Sequence, residues 1–316
     1  MPVLELIPSL SFLSSFSVNI DGTIISSPDI LNLGNFDMIY SCINEGSGSM
    51  FISSISDSRR NVWNDCKLKY HYRYNEHLEE EYEHGSGDAL EYGNFIHKVF
   101  ELGVSSTSVE ELNIISESIR KDYRFSKSYN TKIPVMLDNF IRFNKPLSGT
   151  IATEMKFEVD IPFFTTHKVV LIGKIDRVIR IGDFFIVIDY KTSKKEENYV
   201  DLCKNNQLKT YAYAIHRMFN VPLPKILCML YYPQTNNHPK VKFNDSQIKM
   251  HLNNIVRDVI KIKKSKKSEM IAEKNEFCNW CGFRKLCYIW ESNKILLESN
   301  IQAAKDKRDK KKRKVI

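Results

Sequence analysis

Residues 173–193 read GKIDRVIRIGDFFIVIDYKTS, which is two strand-like runs on either side of Gly182 and Asp183. A Gly-Asp pair between alternating apolar runs favours a two-residue hairpin turn. If the strands pair outward from that turn residue by residue, Asp176 lies directly opposite Asp189. Like charges in opposed positions destabilise a sheet unless something compensates them. The stretch therefore predicts an antiparallel hairpin that places two carboxylates side by side.

Lys191 follows Asp189 by two residues, so the two side chains lie on the same face of the strand. Most of the surrounding positions are apolar, which indicates that the acids lie in a sheet that is otherwise buried. An oxygen-binding cation such as Mg²⁺ or Mn²⁺ would remove the repulsion between the acids. The alternative is a solvent-exposed face on which Lys191 neutralises the acids. With Glu154 on the preceding strand, the pattern fits phosphodiester hydrolysis.

The pattern around the hairpin predicts an α/β domain with a mixed sheet. Alternating residues predict the strands, and spacings of three and four residues predict the helices. Strands are predicted at residues 154–161, 169–178, 184–191, 226–232 and 241–243. Helices are predicted at residues 57–74, 89–102, 206–219 and 248–262, with a mainly helical region at 106–145. Residues 1–58 are rich in Ser, Ile and Asn and predict short strands and loops.

Charge is unevenly distributed along the 316 residues, whose net charge is +8. Residues 1–58 have six acids and no Lys or Arg, whereas residues 305–314 have eight basic residues and two acids. A basic body suits a polyanionic partner such as DNA. No apolar run approaches the ~18 residues of a membrane span, so no membrane partner is expected.

The same charge pattern bears on where the chain works. The lack of a cation before Arg59 argues against a secretory signal or an Arg-rich transit peptide. We therefore expect an intracellular, reducing compartment and place the chain in the cytoplasm. The string at 310–315 is similar to a nuclear import signal, which makes the nucleus the alternative.

Three cysteines lie within ten residues, at Cys278, Cys281 and Cys287. A C-x2-C-x5-C spacing is typical of thiol ligands, and both tetrahedral zinc and an iron–sulfur cluster need a fourth ligand. Cys66 is the candidate for that ligand. Spacing alone does not choose between the two kinds of centre.

These motifs together resemble one branch of a nuclease superfamily. Asp176 followed by Asp189-Tyr190-Lys191, with Glu154 before them, resembles the RecB-like branch of the PD-(D/E)xK nucleases. The segment 93–97 (GNFIH) and the later segment 207–211 (QLKTY) strengthen the resemblance, which covers roughly residues 53–291. It implies a restriction-endonuclease-like core, a mixed central sheet flanked by helices, with Mg²⁺ or Mn²⁺ as cofactor.

The resemblance also implies roles for individual residues. The implied metal ligands are His97, Asp176, Asp189 and the backbone carbonyl of Tyr190. The implied catalytic residues are Lys191, Asp176, Asp189 and Glu154. Gln207 and Tyr211 match the family's Q-x-x-x-Y motif and are implied to contact the substrate, because a spacing of four places both on one helix face.

One distant cysteine and three clustered ones are similar to the iron–sulfur subgroup of these nucleases, which includes the AddB type and CRISPR-associated RecB-like exonucleases. The implied cofactor is a [4Fe-4S] cluster bound by Cys66, Cys278, Cys281 and Cys287, with zinc as the alternative. Such a centre would staple together the two ends of the domain. The predicted organisation is an N-terminal segment at 1–58, a nuclease domain with the cluster at 59–300 and a basic tail at 301–316.

The expected function is a metal-dependent DNA nuclease, and specifically an exonuclease acting on single strands or free ends. The expected setting is DNA repair, recombination, or phage or CRISPR DNA processing. A helicase P-loop is not found in the sequence, so unwinding would need a helicase or recombination partner. The alternatives are a non-catalytic DNA-binding scaffold that holds DNA for a partner helicase or nuclease, and an enzyme that acts on RNA.

Overall fold

The fold is described from a computed structural model of the chain, in which residues 54–82, 87–164 and 167–313 are described. All of them belong to the unit Ile52–Ile316. The predicted short strands and loops of residues 1–58 therefore lie almost entirely outside the described residues. The division of the chain at residues 58 and 300 stays a prediction.

A mixed sheet forms the centre of the described part of the chain, as predicted. Its strands are β1 (Ser54–Ile55), β2 (Thr150–Phe164), β3 (His167–Ile181), β4 (Phe184–Tyr190), β5 (Ile226–Tyr231) and β6 (Lys240–Val241). One edge of β3 pairs with β2, and the other pairs with β1 near its start and β4 near its end. The β4–β5 pair is parallel and the β5–β6 pair antiparallel. Each strand predicted from alternation exists, and β2 and β3 are longer than predicted.

Helices cover the sheet and extend beyond it. They are α1 (Asp57–Asp65), α2 (Lys67–Tyr70), α3 (Asp88–Leu102), α4 (Val109–Ile119), α5 (Ile133–Asn144), α6 (Tyr199–Lys204), α7 (Asn206–Phe219), α8 (Asp245–Lys264) and α9 (Lys294–Arg313). The predicted bounds of α7 are confirmed at both ends. The region 106–145 is less continuous than predicted, because short 3-10 segments separate α4 from α5. The residues predicted as a basic tail continue α9 as far as Arg313.

The two faces of β4 carry different side chains, and this difference positions the site. Ile186, Ile188 and Tyr190 point into an apolar core formed with α3 and α5. In that core Phe100 stacks on Phe140 with ring centroids 4.0 Å apart. Burying an aromatic side chain of this kind contributes about 1.5–3 kcal/mol. Because strand side chains alternate, Asp189 points to the opposite face, which α7 covers.

The hairpin register is the one predicted from the turn. Gly182 occupies the turn with φ +59°, a conformation that glycine adopts without strain. Ile181 pairs with Phe184, and the ladder continues as far as Arg177 opposite Ile188. Asp176 and Asp189 are the next residues on the two strands, so both point to the α7 face.

A buried polar contact holds α7 against α8. Thr210 of α7 lies 2.8 Å from Nε2 of His251, and both residues are almost fully buried. Burial, together with the positive charges of Arg60 and Lys209, lowers the pKa of His251 to about 3. Asp57 also bonds to Thr210, and burial raises the pKa of its carboxyl group. Burial at this contact therefore favours the neutral imidazole.

We expect this histidine to make folding pH-dependent. Its folded pKa lies below the usual 6.5, so its contribution to stability is complete above pH 6.5 and is lost as the pH falls toward 3. Asp57 acts in the opposite direction, so the informative quantity is the difference between wild type and His251→Gln. The free energies of unfolding should converge by about 1 kcal/mol per pH unit below pH 6.5. Urea titrations from pH 7 to pH 4 measure this, and parallel curves for the two proteins would contradict it.

Candidate active site

The carboxylate of Asp176 lies where the β3–β4 ladder ends. Its Oδ2 atom accepts a hydrogen bond of 2.7 Å from the backbone N–H of Tyr190. Both Asp176 and Asp189 are buried. A buried carboxylate is stable only where hydrogen bonds or cations compensate its charge. The predicted alternative of a solvent-exposed acidic face is therefore wrong.

His97 reaches this carboxylate from α3, in the layer that covers the other face of the sheet. Its Nδ1 atom lies 3.4 Å from Oδ1 of Asp176, and its Nε2 atom lies 3.0 Å from the carbonyl oxygen of Tyr190. Because a carbonyl oxygen only accepts hydrogen bonds, Nε2 carries a proton. Nδ1 then either carries a second proton or offers its lone pair to a cation.

Glu154 completes a group of three possible ligands. It lies on β2, and the pairs Thr153–Arg177 and Met155–Ile175 on either side place it opposite Asp176. One nitrogen of His97 and one oxygen from each of Glu154 and Asp176 all lie within 4.8 Å of one another. A nitrogen and two carboxylate oxygens suit Mn²⁺ or Mg²⁺, so the donor set fits a divalent cation.

The backbone of Glu154 is strained. Its φ is +51°, in the left-handed region, although the residue lies within a β-strand. Such a conformation costs a residue with a Cβ atom about 1–3 kcal/mol and persists where the surroundings enforce it. An ion pair with Lys174 further fixes the direction of the side chain. The strained backbone aims this carboxylate at Asp176.

Replacing Glu154 by Gly or Ala should separate this strain from the charge. Both variants remove the carboxylate, but only Gly removes the Cβ atom that makes positive φ costly. We expect Glu154→Gly to be about 1 kcal/mol more stable than Glu154→Ala. Urea unfolding of the two variants measures the difference. Equal stabilities would show that residue 154 does not require the left-handed conformation.

Lys191 is held beside the carboxylates by a set of linked side chains. Its Nζ atom lies 2.7 Å from Oδ2 of Asp189 and donates a hydrogen bond of 2.9 Å to Oε1 of Gln207. Gln207 donates from Nε2 to the hydroxyl of Tyr211 at 2.7 Å. That hydroxyl donates to Oδ1 of Asp189 at 3.5 Å. Gln207 and Tyr211 of α7 therefore contact the acidic cluster rather than only packing against the core.

Negative charge exceeds positive charge in this buried region. Burial raises the pKa of Asp189. The nearby negative charge of Asp176 also raises the pKa of Asp189, while Lys191 acts in the opposite direction. Burial lowers the pKa of His97 and of Lys191, but the surrounding carboxylates more than offset this and raise both. The three carboxylates of Asp176, Asp189 and Glu154 exceed the two ammonium groups of Lys191 and Lys174 by one charge while His97 is neutral, which favours a further cation. A divalent ion is therefore compatible with both the charge and the donor atoms.

The structure brings together all eight residues predicted for this site. Asp189 lies outside the three-residue ligand group and pairs with Lys191, whereas the family resemblance implies that it binds the metal together with Asp176 and His97. Lys174 was missed, and its signal is that it precedes Asp176 by two residues on the same face of β3. Gly93 was quoted only as part of a motif; a Cβ atom there would lie 3.4 Å from Oγ1 of Thr192, so α3 closely approaches the segment after Lys191.

The four predicted cysteines gather at a second place. Their residues are Cys66, Cys278, Cys281 and Cys287, and all four are free thiols. Charge interactions couple Cys287 to each of the other three. Neighbouring segments also join, since the backbone N–H of Leu68 bonds to the carbonyl of Ile271 and the hydroxyl of Tyr72 bonds to the carbonyl of Leu286. The structure therefore brings Cys66 close to the distant triplet.

Backbone hydrogen bonds and burial both act on these cysteine side chains. Backbone N–H groups donate to Cys66 and Cys278 at 3.5 and 3.3 Å. Burial raises the pKa of Cys281 and Cys287, while backbone hydrogen bonds from Phe283 and Ile289 act in the opposite direction. Within the described residues no three of these sulfurs lie within 4.8 Å of one another.

Comparison with known proteins identifies the family. The model of the PD-(D/E)XK nuclease superfamily matches residues 54–288. The chain belongs to this superfamily. The match includes the whole nuclease site described above and extends past Cys287. It implies that the protein is a nuclease, a hydrolase of phosphodiester bonds.

The nuclease also has distant structural neighbours. A structure named SSO0001 is 16% identical with a TM-score of 0.36, covering 76% of this chain and 89% of the other. A structure from Eubacterium rectale named "Putative exonuclease" is 14% identical with a TM-score of 0.43, covering 68% and 83%. The comparison with curated proteins found no match to this chain. The assignment therefore depends on the family match.

The expected metal cofactor and the expected lack of a membrane span can both be compared with these findings. Superfamily members use Mg²⁺ or Mn²⁺, which agrees with the donor atoms of His97, Glu154 and Asp176. Among the described residues, no helix has the length and apolar character needed to cross a membrane.

Proposed function

We propose that this nuclease is a divalent-metal-dependent DNA exonuclease that acts on single strands or free ends. The observation that carries the proposal is the meeting of His97, Glu154 and Asp176 beside the Asp189–Lys191 ion pair. A DNA-holding scaffold has no need of a partly buried lysine in contact with a buried carboxylate. The basic body of the chain supports a polyanionic substrate.

Each residue has a proposed role. His97, Glu154 and Asp176 hold the cation, and Asp189 and the Tyr190 carbonyl contribute to the same site. A bound Mg²⁺ or Mn²⁺ would supply Lewis-acid chemistry and lower the pKa of water. Lys191 contacts the phosphate at the scissile bond, and Gln207 and Tyr211 contact the substrate beside it.

The protein groups prepare the reaction before DNA arrives. Lys191 is held by Asp189 and Gln207, so its ammonium group needs little reorganisation to meet the negative charge that develops on phosphate. The imidazole of His97 is oriented by its bond to the Tyr190 carbonyl, which directs Nδ1 toward Asp176. The hydroxyl of Tyr211 links Gln207 to Asp189 through two hydrogen bonds and so fixes the positions of both side chains.

We also propose that the four cysteines bind a [4Fe-4S] cluster rather than zinc. The resemblance of the cysteine spacing to the iron–sulfur subgroup, the meeting of the four cysteines and the backbone hydrogen bonds to Cys66 and Cys278 support this proposal. Protein purified without oxygen should be brown and contain about four iron atoms per chain by metal analysis. Colourless protein with one zinc per chain would show that the four cysteines bind zinc, and would reject the iron–sulfur cluster.

The function is tested with four labelled substrates: linear single-stranded DNA, circular single-stranded DNA, linear duplex DNA and RNA. Each is incubated with Mg²⁺, with Mn²⁺ and with EDTA. We expect progressive shortening of linear single strands from one end, no cleavage of circular DNA, and no cleavage in EDTA. Labels at the 5′ and 3′ ends establish polarity.

Other outcomes have distinct meanings. Cleavage of circular DNA would replace the exonuclease with an endonuclease. Preference for RNA would change the substrate. DNA binding without cleavage under any metal condition would favour the scaffold. We also propose that the protein works in repair, recombination or phage DNA processing, with or without a helicase partner. This role depends on the exonuclease activity.

A further inference from the structure

The cysteine-bearing segment exposes aromatic side chains at unusual density. Phe277 is 55% exposed, Trp280 58%, Tyr288 51% and Trp290 39%. Two of the chain's three tryptophans are among them, whereas Trp63 is buried. Single exposed apolar residues are common on protein surfaces, but several large aromatics in one short segment mark an interaction surface. We refer to these four side chains as the aromatic surface.

Local structure holds these rings outward. Residues Glu276–Trp280 form a 3-10 helix, in which side chains three apart lie on the same side. Phe277 and Trp280 therefore share one side. The spacing of Cys278 and Cys281 places the two thiols together on a different side. The short helix and the residue that follows it thus place the two thiols on one side and the two rings on another.

Two further rings are fixed by contacts. The guanidinium of Arg284 lies over the ring of Trp290, 4.2 Å from its centroid. The hydroxyl of Tyr288 accepts a hydrogen bond of 2.8 Å from the backbone N–H of Ala272. Aromatic side chains that are already ordered lose little entropy on binding, which favours them as contact residues.

The stretch of chain that carries these rings is basic, which favours nucleic acid as the ligand. Residues 261–294 contain nine Lys and Arg and four Asp and Glu, a net charge of +5. A protein partner of opposite charge would suit the basic residues alone, but exposed rings beside cations match a strand whose bases stack while its phosphates bind cations. In a duplex the bases are already stacked and unavailable, so the match is to a single strand.

We infer that the aromatic surface binds single-stranded nucleic acid by base stacking, at a place separate from the cleavage site. The inference rests on the proposed function for the kind of ligand. It assigns to Phe277, Trp280 and Trp290 the holding of a strand, and none of the cleavage residues belongs to this surface.

The test measures binding of a fluorescein-labelled oligodeoxythymidylate in EDTA, where cleavage does not occur. We expect Phe277→Ala with Trp280→Ala to weaken binding about ten- to hundred-fold. Trp280→Phe keeps a stacking ring and should bind like wild type. Phe184→Ala is the matched control, because Phe184 is an exposed aromatic residue at the start of β4 and does not belong to the aromatic surface. Thermal unfolding checks that each variant is folded.

Tryptophan fluorescence gives a second readout. Oligodeoxythymidylate should quench the emission of wild type, and Trp280→Phe should reduce the quenching without reducing affinity. Unchanged affinity in the double alanine variant would overturn the inference, as would absence of oligonucleotide binding by wild type. A dimer that dissociates in the double variant, with DNA binding unchanged, would make the surface a contact between copies. Weakened binding in a protein that never cleaves DNA would reject the proposed function and keep the inference.

Discussion

Replacing Lys191 by Ala should reduce the rate of DNA cleavage by at least about 10²–10³-fold while leaving DNA binding nearly unchanged. The substitution removes the cation beside Asp189 but keeps His97, Glu154 and Asp176. Under the proposed assignment the divalent ion therefore still binds, and only the interaction made as charge develops on the phosphate is lost. Single-turnover cleavage of labelled DNA measures the rate, and anisotropy in EDTA measures binding.

The controls for this prediction lie close by in the chain. Lys194→Ala removes an exposed lysine three residues further on and should change the rate little. Lys191→Arg keeps the charge but not the compact ammonium that fits between Asp189 and Gln207, so it should recover only part of the rate. Cleavage by Lys191→Ala within a few-fold of wild type would reject the role of this residue.

The second large effect is expected at Cys66. Cys66→Ser should release the iron, lower the melting temperature by about 10 °C or more and reduce the soluble yield, because loss of one ligand opens a centre that joins residue 66 to residues 278–287. Cys281→Ser should have the same effect, since both thiols belong to one centre. Metal analysis, visible absorption and thermal unfolding measure the three consequences.

Cys203→Ser is the matched control, because Cys203 is also a partly exposed free thiol but lies outside the cluster. It should keep the iron content and melting temperature of wild type. If Cys66→Ser retained both as well, the four thiols would not act as one centre. The hydrogen bonds between the segments near Leu68 and Leu286 would then be sufficient to hold the two ends of the domain together.

Local patterns predicted the elements whose determinants are local. The register of the β3–β4 hairpin follows from Gly182 and the alternation around it, so the neighbouring positions of Asp176 and Asp189 could be read from one short stretch. The bounds of α7 follow from Asn205 as its cap and from the left-handed Asn220 at its end. The spacing of Gln207 and Tyr211 then places both on the site.

Features that depend on distant segments were harder to predict from the sequence. Nothing around Glu154 in the sequence indicates positive φ, because alternation specifies the face of a strand and not its backbone angle. His97 needed the family resemblance, since a histidine on an apolar helix usually packs in the core. The ion pair between Asp189 and Lys191, which separates Asp189 from the three-ligand group, depends on side-chain distances that no pattern of residues encodes.

Asp176 has a consequence for how this nuclease can be inactivated. One of its oxygens accepts the N–H of Tyr190 and so terminates the ladder of β4, while the other faces His97. The same carboxylate therefore belongs to the architecture and, under the proposed assignment, to the chemistry. Catalytically dead protein for trapping a DNA complex is better made at Lys191, whose ammonium group bonds to the side chains of Asp189 and Gln207. An alanine at 176 would confuse a chemical defect with a damaged strand end.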